Sequence, residues 1–201
     1  MEKFVRLKAA AVPLHEPNID TDQLIPARFL GKPRRAGFAD FLLRDRRFAE
    51  DGNEIPDFVL NKSAYRDARI LLAGANFGCG SSRESAVYAL SDYGFRVVIA
   101  PSFGDIFAGN CIKNGLLPVM LPDAQVAELC RQVTVTPGAP VTADLETLAV
   151  EAPDGSVFAF TMDPFKRQCL LEGLDEIGLT MRFADRIAAH EDRNDDVLQA
   201  G

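Results

Sequence analysis

Hydrophobic and polar positions alternate almost from the first residue: Phe4, Arg6 and Lys8 share one parity and Val5, Leu7 and Ala9 the other. This period of two predicts a strand over 4–12, ended by Pro13. The middle third reads differently. Ile70-Leu71-Leu72-Ala73 and Val97-Val98-Ile99-Ala100 are short, wholly apolar runs, and between them a helical pattern extends from Arg83 to Tyr93 and stops at Gly94. Ser102 and Asp105 then stand at capping-box spacing, Phe103, Ile106, Phe107 and Cys111 follow a helical stripe, and Gly115 closes it before Leu117 to Leu121. The order is β-α-β-α-β. Runs apolar on both faces and joined by helices imply a parallel sheet with right-handed crossovers, and such sheets take ligands at the carboxyl ends of their strands.

Further on, a helix is expected from about Asp123 to Gln132, with Val126, Leu129 and Val133 as its apolar face. A hairpin pattern follows, Leu145 to Glu151 and Ser156 to Met162, turning at Pro153-Asp154-Gly155. Asp163-Pro164 is an N-cap with proline in the first turn, opening a helix through Leu171 that stops at Gly173. A last amphipathic helix, Met181 to Glu191, leads to residues 194–201, expected to be a mobile tail. There are no repeats and no low-complexity linker, so 1–201 reads as a single domain.

Composition narrows the function classes. A chain of 201 residues, 47% hydrophobic, buries about two-thirds to three-quarters of its unfolded surface and needs no disulfide or metal staple. A net charge of -7 argues against a general nucleic-acid partner, whose phosphate contacts need a basic excess. No apolar run has membrane-spanning length and no export leader opens the chain, so no membrane role and a cytoplasmic location are expected. Cys79, Cys111, Cys130 and Cys169 are isolated, and neither His15 nor His190 lies at ligand spacing from them. No metal site within this chain is expected, and each cysteine reads as a buried small hydrophobe. Residues 28–47 hold Lys or Arg at 28, 32, 34, 35, 44, 46 and 47 against Asp40 and Asp45. This asymmetry fits either a solvated surface with helix-end arginines or a patch for an anionic ligand or acidic partner.

The chemistry concentrates in Asn76-Phe77-Gly78-Cys79-Gly80-Ser81-Ser82-Arg83-Glu84, between a buried run and a helix. Gly78 and Gly80 allow close backbone approach, and Ser81 with Glu84 at capping-box spacing places a helix start at Ser82 or Arg83. Amides, two hydroxyls and a guanidinium then converge at one positive helix end, which suits a carboxylate or phosphate. The Walker pattern is absent. The dinucleotide pattern fails at Arg83 and at Ala100-Pro101, and a hydrolase serine lacks both G-x-S-x-G and a placed histidine. A second cluster is Asn18-Ile19-Asp20-Thr21-Asp22-Gln23-Leu24-Ile25-Pro26. In an extended segment Asp20 and Asp22 project together, either as turn-forming residues or as carboxylates that orient a catalytic group.

These segments, with Tyr93-Gly-Phe-Arg-Val-Val-Ile-Ala-Pro-Ser-Phe-Gly-Asp-Ile-Phe107, Asn110, Asn114-Gly115 and Leu171-Glu-Gly-Leu-Asp-Glu-Ile-Gly-Leu-Thr180, resemble the small subunits of bacterial 3-isopropylmalate dehydratase (isopropylmalate isomerase), in the aconitase superfamily. The resemblance runs from residue 4 to residue 191. It implies the swivelling β/β/α domain of that superfamily, an α/β fold with a parallel βαβαβ centre. It also implies a hydro-lyase that removes water from a small dicarboxylic hydroxy-acid and adds it back, active only with its large subunit. That partner is expected to carry a [4Fe-4S] cluster, the Lewis acid for the substrate hydroxyl, with no cofactor in this chain. Proton abstraction beside a carboxylate makes an aci-carboxylate dianion, so positive electrostatics are needed where the charge grows.

The resemblance also implies roles. Ser81 corresponds to the catalytic base, and Ser82 and Arg83 to holders of a substrate carboxylate. Thr21 and Asp22 match a Thr-Asp pair beside the active site, Thr21 as a substrate contact and Asp22 as a catalytic residue orienting a histidine of the large subunit. Leu30, Gly31 and Lys32 fall in the loop that selects the substrate side group, within a basic segment 28–47 expected to be mobile without the partner. Where family members carry His-Ala-Pro-Trp, this chain has Ser85-Ala86-Val87-Tyr88. Ser81 and Arg83 are kept, so the departure leaves open the substrate and not the chemistry, the alternative being a paralogue acting on citramalate or dimethylmalate. A reading of a different class is a non-catalytic carboxylate-binding or partner-binding domain.

Overall fold

Val12, Leu14, Leu71, Ala73, Val98 and Ala100 lie in one apolar core and Ala11, Ile70, Leu72, Val97 and Ile99 in another, so strand parity sorts the central runs onto two faces of one sheet. The computed structural model describes residues 1–34 and 37–190. In chain order the elements are β1 (Arg6–Leu14), the one-turn helices α1 (Thr21–Leu24) and α2 (Arg44–Arg47), β2 (Ile70–Ala73), α3 (Glu84–Tyr93), β3 (Val97–Ala100), α4 (Asp105–Lys113) and β4 (Leu117–Met120). Then come α5 (Asp123–Val135), β5 (Pro140–Asp144), β6 (Ala149–Glu151), β7 (Val157–Ala159), α6 (Pro164–Glu172) and α7 (Glu176–Met181). The sheet order is β4-β3-β2-β1-β5-β6-β7. β1 to β4 run parallel, with α3 and α4 as the crossovers expected from the sequence, and β5 to β7 pair antiparallel.

β1 joins the two halves. Residues 6–10 pair with β5 and residues 11–14 with β2. This explains why Pro13 does not end the strand as its position suggested. Arg69 donates its N–H to the Ala10 carbonyl, and Leu145 donates to that of Val5. Even-numbered residues of β1 therefore direct their backbone groups toward β2 and odd-numbered ones toward β5. Pro13 is odd, and β5 has ended at Ala10, so its missing N–H costs no ladder bond.

Three other expectations change. β5 was not anticipated, and the segment read as one strand from Leu145 is a turn followed by β6. Asp144 makes that turn by accepting from the Glu146 and Thr147 amides, both at 2.9 Å, with Leu148 in the left-handed region at φ 54. Ser102 does not cap α4, whose N-cap is Gly104. The last helix, expected from Met181, runs over 184–190, and an unanticipated α7, capped by the Asp175 carboxylate on the Gly178 amide, precedes it. Its expected end at Glu191, and the tail at 194–201, lie outside the described residues.

The Pro153-Asp154-Gly155 turn and the Asp163-Pro164 helix start form as read, with the Asp163 carboxylate accepting from the Lys166 amide and Gly173 closing α6 at φ 70. α3, α4 and residues 19–34 and 37–65 cover one face of the sheet, while α5 and α6 cover the other. No helix among the described residues is long and apolar enough to cross a membrane.

Candidate functional site

The loops that leave β1, β2 and β3 at their carboxyl ends are laced together by backbone bonds. Asn18 donates to the Ala75 carbonyl at 2.8 Å, Gly78 to Ile19 at 2.7 Å, and Thr21 to Cys79 at 3.0 Å. On the other side Phe77 donates to Ser102 at 3.0 Å and Gly104 to Phe77 at 2.9 Å. Parallel bridges Asp20↔Cys79 and Phe77↔Phe103 make residues 77–79 a short extra strand between the other two loops. The parallel sheet is thereby prolonged past its strands, to the point where the Gly-Ser-Ser-Arg loop begins.

Glycine is required in this lacing. Gly78 adopts φ +69, and a Cβ there would lie 2.2 Å from the Phe107 ring. A Cβ on Gly104 would lie 2.6 Å from the Gly78 carbonyl oxygen. Two non-glycine residues also take the left-handed conformation, Asn18 at φ 60 and Asn76 at φ 58. Asparagine tolerates this region, and here the two side chains meet, Asn76 Nδ2 donating to Asn18 Oδ1 at 2.8 Å. The Asn76 amide donates to Ser102 Oγ at 2.8 Å, which is where the hydroxyl expected to cap α4 is used.

The capping box at Ser81 and Glu84 does not form. Arg83 is the N-cap, with extended backbone and no side-chain cap, and Glu84 is the first residue of α3. The Glu84 carboxylate turns instead to Asn114, whose Nδ2 donates at 2.8 Å. Nothing from this box therefore covers the amino end of α3, and Ser81 and Ser82 stand exposed before it.

The two acids also separate. Asp20 caps α1, its Oδ1 accepting from the Gln23 amide at 2.7 Å, so it serves the turn-forming role. Asp22 stands in the first turn of α1, 53% exposed, and is ion-paired with the Arg83 guanidinium, itself 18% exposed. Thr21 is 1% exposed, and its Oγ1 donates to the Ser81 carbonyl at 2.9 Å. Asp22, Thr21, Ser81, Ser82 and Arg83 are thus assembled in one place.

Leu30, Gly31 and Lys32 are exposed. Arg34 ties their stretch to α3 and to the end of α4: it lies over the Tyr88 ring at 3.9 Å, and it reaches Asp92 of α3 at 3.5 Å and Asn114, the C-cap of α4, at 3.4 Å. The departing positions of Ser85-Ala86-Val87-Tyr88 lie at the packed side of α3: Ser85 is half-buried, Val87 is fully buried and Tyr88 packs between Arg34 and Phe38.

The basic stretch is not one free patch. Arg28 forks onto Asp45, holding that carboxyl below its ordinary range, and Arg46 binds Glu16 at 2.6 and 2.8 Å. Arg47 is 6% exposed and donates to the Ala39 and Leu42 carbonyls and to Asn61, while burial pulls its pKa down. A hollow of about 590 Å³ opens among Arg28, Phe29, Arg44, Asp45 and Phe48, away from the Ser81 loop. Asp22, Ser81 and Ser82, by contrast, stand on open surface. No group of three His, Cys, Asp or Glu that could hold a metal occurs among the described residues. Burial raises the thiol pKa of Cys111 and Cys169, and pushes that of Cys130 up to about 12.

Sequence reasoning assigned no role to Asn18, Asn76 or Asn114, and gave Ser102 the wrong one, a helix cap. The available signal was an asparagine just ahead of each cluster, at Asn18-Ile19-Asp20 and Asn76-Phe77-Gly78, a residue type that accepts left-handed backbone.

Residues 1–124 match the aconitase C-terminal domain family, and residues 127–164 match the LeuD_N family. The chain is 53% identical over 192 residues to the 3-isopropylmalate dehydratase small subunit of Paramagnetospirillum magneticum, covering 96% of each. It is 53% identical over 191 residues to the protein of the same name from Roseobacter denitrificans, covering 95% of each. Among solved structures, 3-isopropylmalate dehydratase from Methanocaldococcus jannaschii superposes with a TM-score of 0.66 at 26% identity, over 92% of this chain and 99% of that one. The laced loops at the carboxyl ends of β1 to β3 and near-full-length identity to these proteins lead to one conclusion: the chain belongs to the family of 3-isopropylmalate dehydratase small subunits, within the aconitase superfamily.

Proposed function

We propose that this chain is the small subunit of a heteromeric hydro-lyase that interconverts 2-isopropylmalate and 3-isopropylmalate by dehydration and rehydration, in leucine biosynthesis. The observation that carries the reading is the convergence of Ser81, Ser82, Arg83 and Asp22 at the amino end of α3. They form an open surface, suited to being closed by a second chain.

Arg83 and the amides at the start of α3 take one substrate carboxylate, combining a forked cation with a positive helix end. Ser81 Oγ, as the alkoxide, removes the proton from the carbon beside a carboxylate. The electron pair flows into that carboxylate, giving the dianion. Its return forms the double bond and breaks the C–O bond of the neighbouring hydroxyl, which leaves as water on a proton given by the partner's histidine, the same histidine taking that proton back when water re-adds. Ser81 returns the proton when water adds across the double bond at the alternate carbon. An alkoxide at neutral pH demands local positive potential, which the α3 amino end and Arg83 supply. The partner's [4Fe-4S] cluster is assigned the Lewis acidity at the departing hydroxyl. Asp22 is assigned to orient a histidine of the partner once the subunits meet. Leu30, Gly31 and Lys32 are assigned to the substrate side group, within a segment that orders against the partner.

Reconstitution tests this. The purified chain alone should show no turnover, and mixing it with its large subunit should give interconversion of the two isopropylmalates. Turnover by the isolated chain, or an assembled pair inactive on isopropylmalate but active on citramalate, would overturn the reading.

A further inference from the structure

Thr21 was expected to touch substrate, yet its side chain is 1% exposed and its hydroxyl proton is directed at the Ser81 carbonyl, 2.9 Å away. Its backbone is fixed too, through the Thr21 amide on the Cys79 carbonyl at 3.0 Å and the Ile25 amide on the Thr21 carbonyl at 3.0 Å. The bond to Ser81 is the last rung of the ladder that begins at Asn18 and Ala75. Beyond it the chain is exposed at Ser81 and Ser82 until α3 begins.

A carbonyl cannot be oriented alone. The peptide joining Ser81 to Ser82 is planar and trans, so its C=O and N–H point in opposite directions. With the carbonyl turned inward to buried Thr21, the Ser82 N–H is turned away from Thr21, toward the side where Ser81 and Ser82 meet solvent. Among the described residues no backbone carbonyl accepts from that amide. Gly80 preserves the arrangement: at φ +90 it leads the chain past Thr21, and a Cβ there would sit 3.6 Å from Thr21 Oγ1.

We propose that Thr21 is a positioning residue rather than a substrate contact, and that it acts by aiming the Ser82 amide, and with it Ser81, at the carboxylate where negative charge develops. The proposal rests on the hydro-lyase reading for its kinetic consequence, but the geometry of the Ser81–Ser82 peptide can be tested without it.

In the assembled two-subunit enzyme, Thr21→Val removes the hydroxyl at constant volume. Loss of one aimed donor lowers kcat by about 10²-fold, with KM for isopropylmalate changed less than about threefold, whereas loss of a substrate contact raises KM at unchanged kcat. Thr21→Ser, which keeps the hydroxyl, should retain kcat within about fivefold of the wild type. If the valine variant does not fold, Thr21→Ala against Thr21→Ser makes the same comparison. In the isolated ¹⁵N-labelled chain, the Ser82 amide cross-peak should move in the valine or alanine variant and stay near its wild-type position in the serine variant. An unmoved Ser82 peak, a KM-only effect, or a serine variant as impaired as the valine variant overturns the proposal. An inactive wild-type pair instead removes the hydro-lyase reading, and the Ser82 peak still decides the role of Thr21.

Discussion

The carboxylate of Asp22 is ion-paired with the guanidinium of Arg83, across the gap between the first turn of α1 and the N-cap of α3. The free chain therefore already presents a carboxylate to the cation assigned to a substrate carboxylate. Asp22 is the more exposed of the two, 53% against 18%, so it is the partner able to swing away.

Removing that internal competitor should favour an external anion. Asp22→Asn is expected to tighten binding of 2-isopropylmalate to the isolated chain by roughly two- to fivefold, the value of a solvent-accessible ion pair. Isothermal titration measures it, with Arg83→Gln as the control that binds more weakly than wild type. Equal or weaker binding by the asparagine variant would contradict the competition.

The glycines of the loop should differ sharply in tolerance. A Cβ on Gly78 meets the Phe107 ring at 2.2 Å, whereas one on Gly80 finds Asp20 Cβ no nearer than 3.5 Å. Gly78→Ala combines overpacking with left-handed strain and should cost about 3 kcal/mol, lowering Tm by roughly 6–12 °C. Gly80→Ala carries strain alone, about 1 kcal/mol and roughly 2–4 °C. Thermal unfolding of the two variants provides the comparison.

Thiol reactivity follows burial. Cys111, Cys130 and Cys169 are buried, with pKa values pushed up by desolvation, that of Cys130 to about 12, while Cys79 is half-buried in the candidate site. At pH 8 the three buried groups are protonated and shielded, so iodoacetamide should modify Cys79 first in the native chain. Mass spectrometry of digested protein locates the label, and early modification of Cys111 or Cys130 would contradict the packing.

Arg47 illustrates a charge the fold consumes. Its guanidinium holds the Ala39 and Leu42 carbonyls and Asn61 Oδ1, and Asn61 in turn donates to the Arg47 and Ile55 carbonyls. Arg47→Met leaves these acceptors unpaired and should destabilise the chain by about 3 kcal/mol, measured by urea unfolding.

Much of the fold was legible because the central runs are short, wholly apolar and separated by helical stripes, a pattern that a parallel βαβαβ core requires. What was not legible depended on partners distant in sequence. β5 is a strand because β1 lies beside it, and Pro13 is tolerated because β5 has already ended there. Glu84 has capping-box spacing from Ser81, but Asn114 draws it away. Local spacing likewise suggested that Asp20 and Asp22 act together, yet Asp20 caps a helix turn and Asp22 pairs with Arg83, 61 residues on. The loop bearing Ser81 was legible as chemistry. The burial of Thr21 beneath it was not, since a threonine between two aspartates reads as surface.

The central claim is that the Ser81 loop forms this chain's half of an active site completed by another subunit. The most direct measurement is steady-state turnover of isopropylmalate by the assembled enzyme carrying Ser81→Ala. A catalytic base requires kcat to fall by at least about 10³-fold while association of the two chains and KM are nearly preserved. A Ser81→Ala enzyme that retains kcat within about tenfold of the wild type would contradict the assignment.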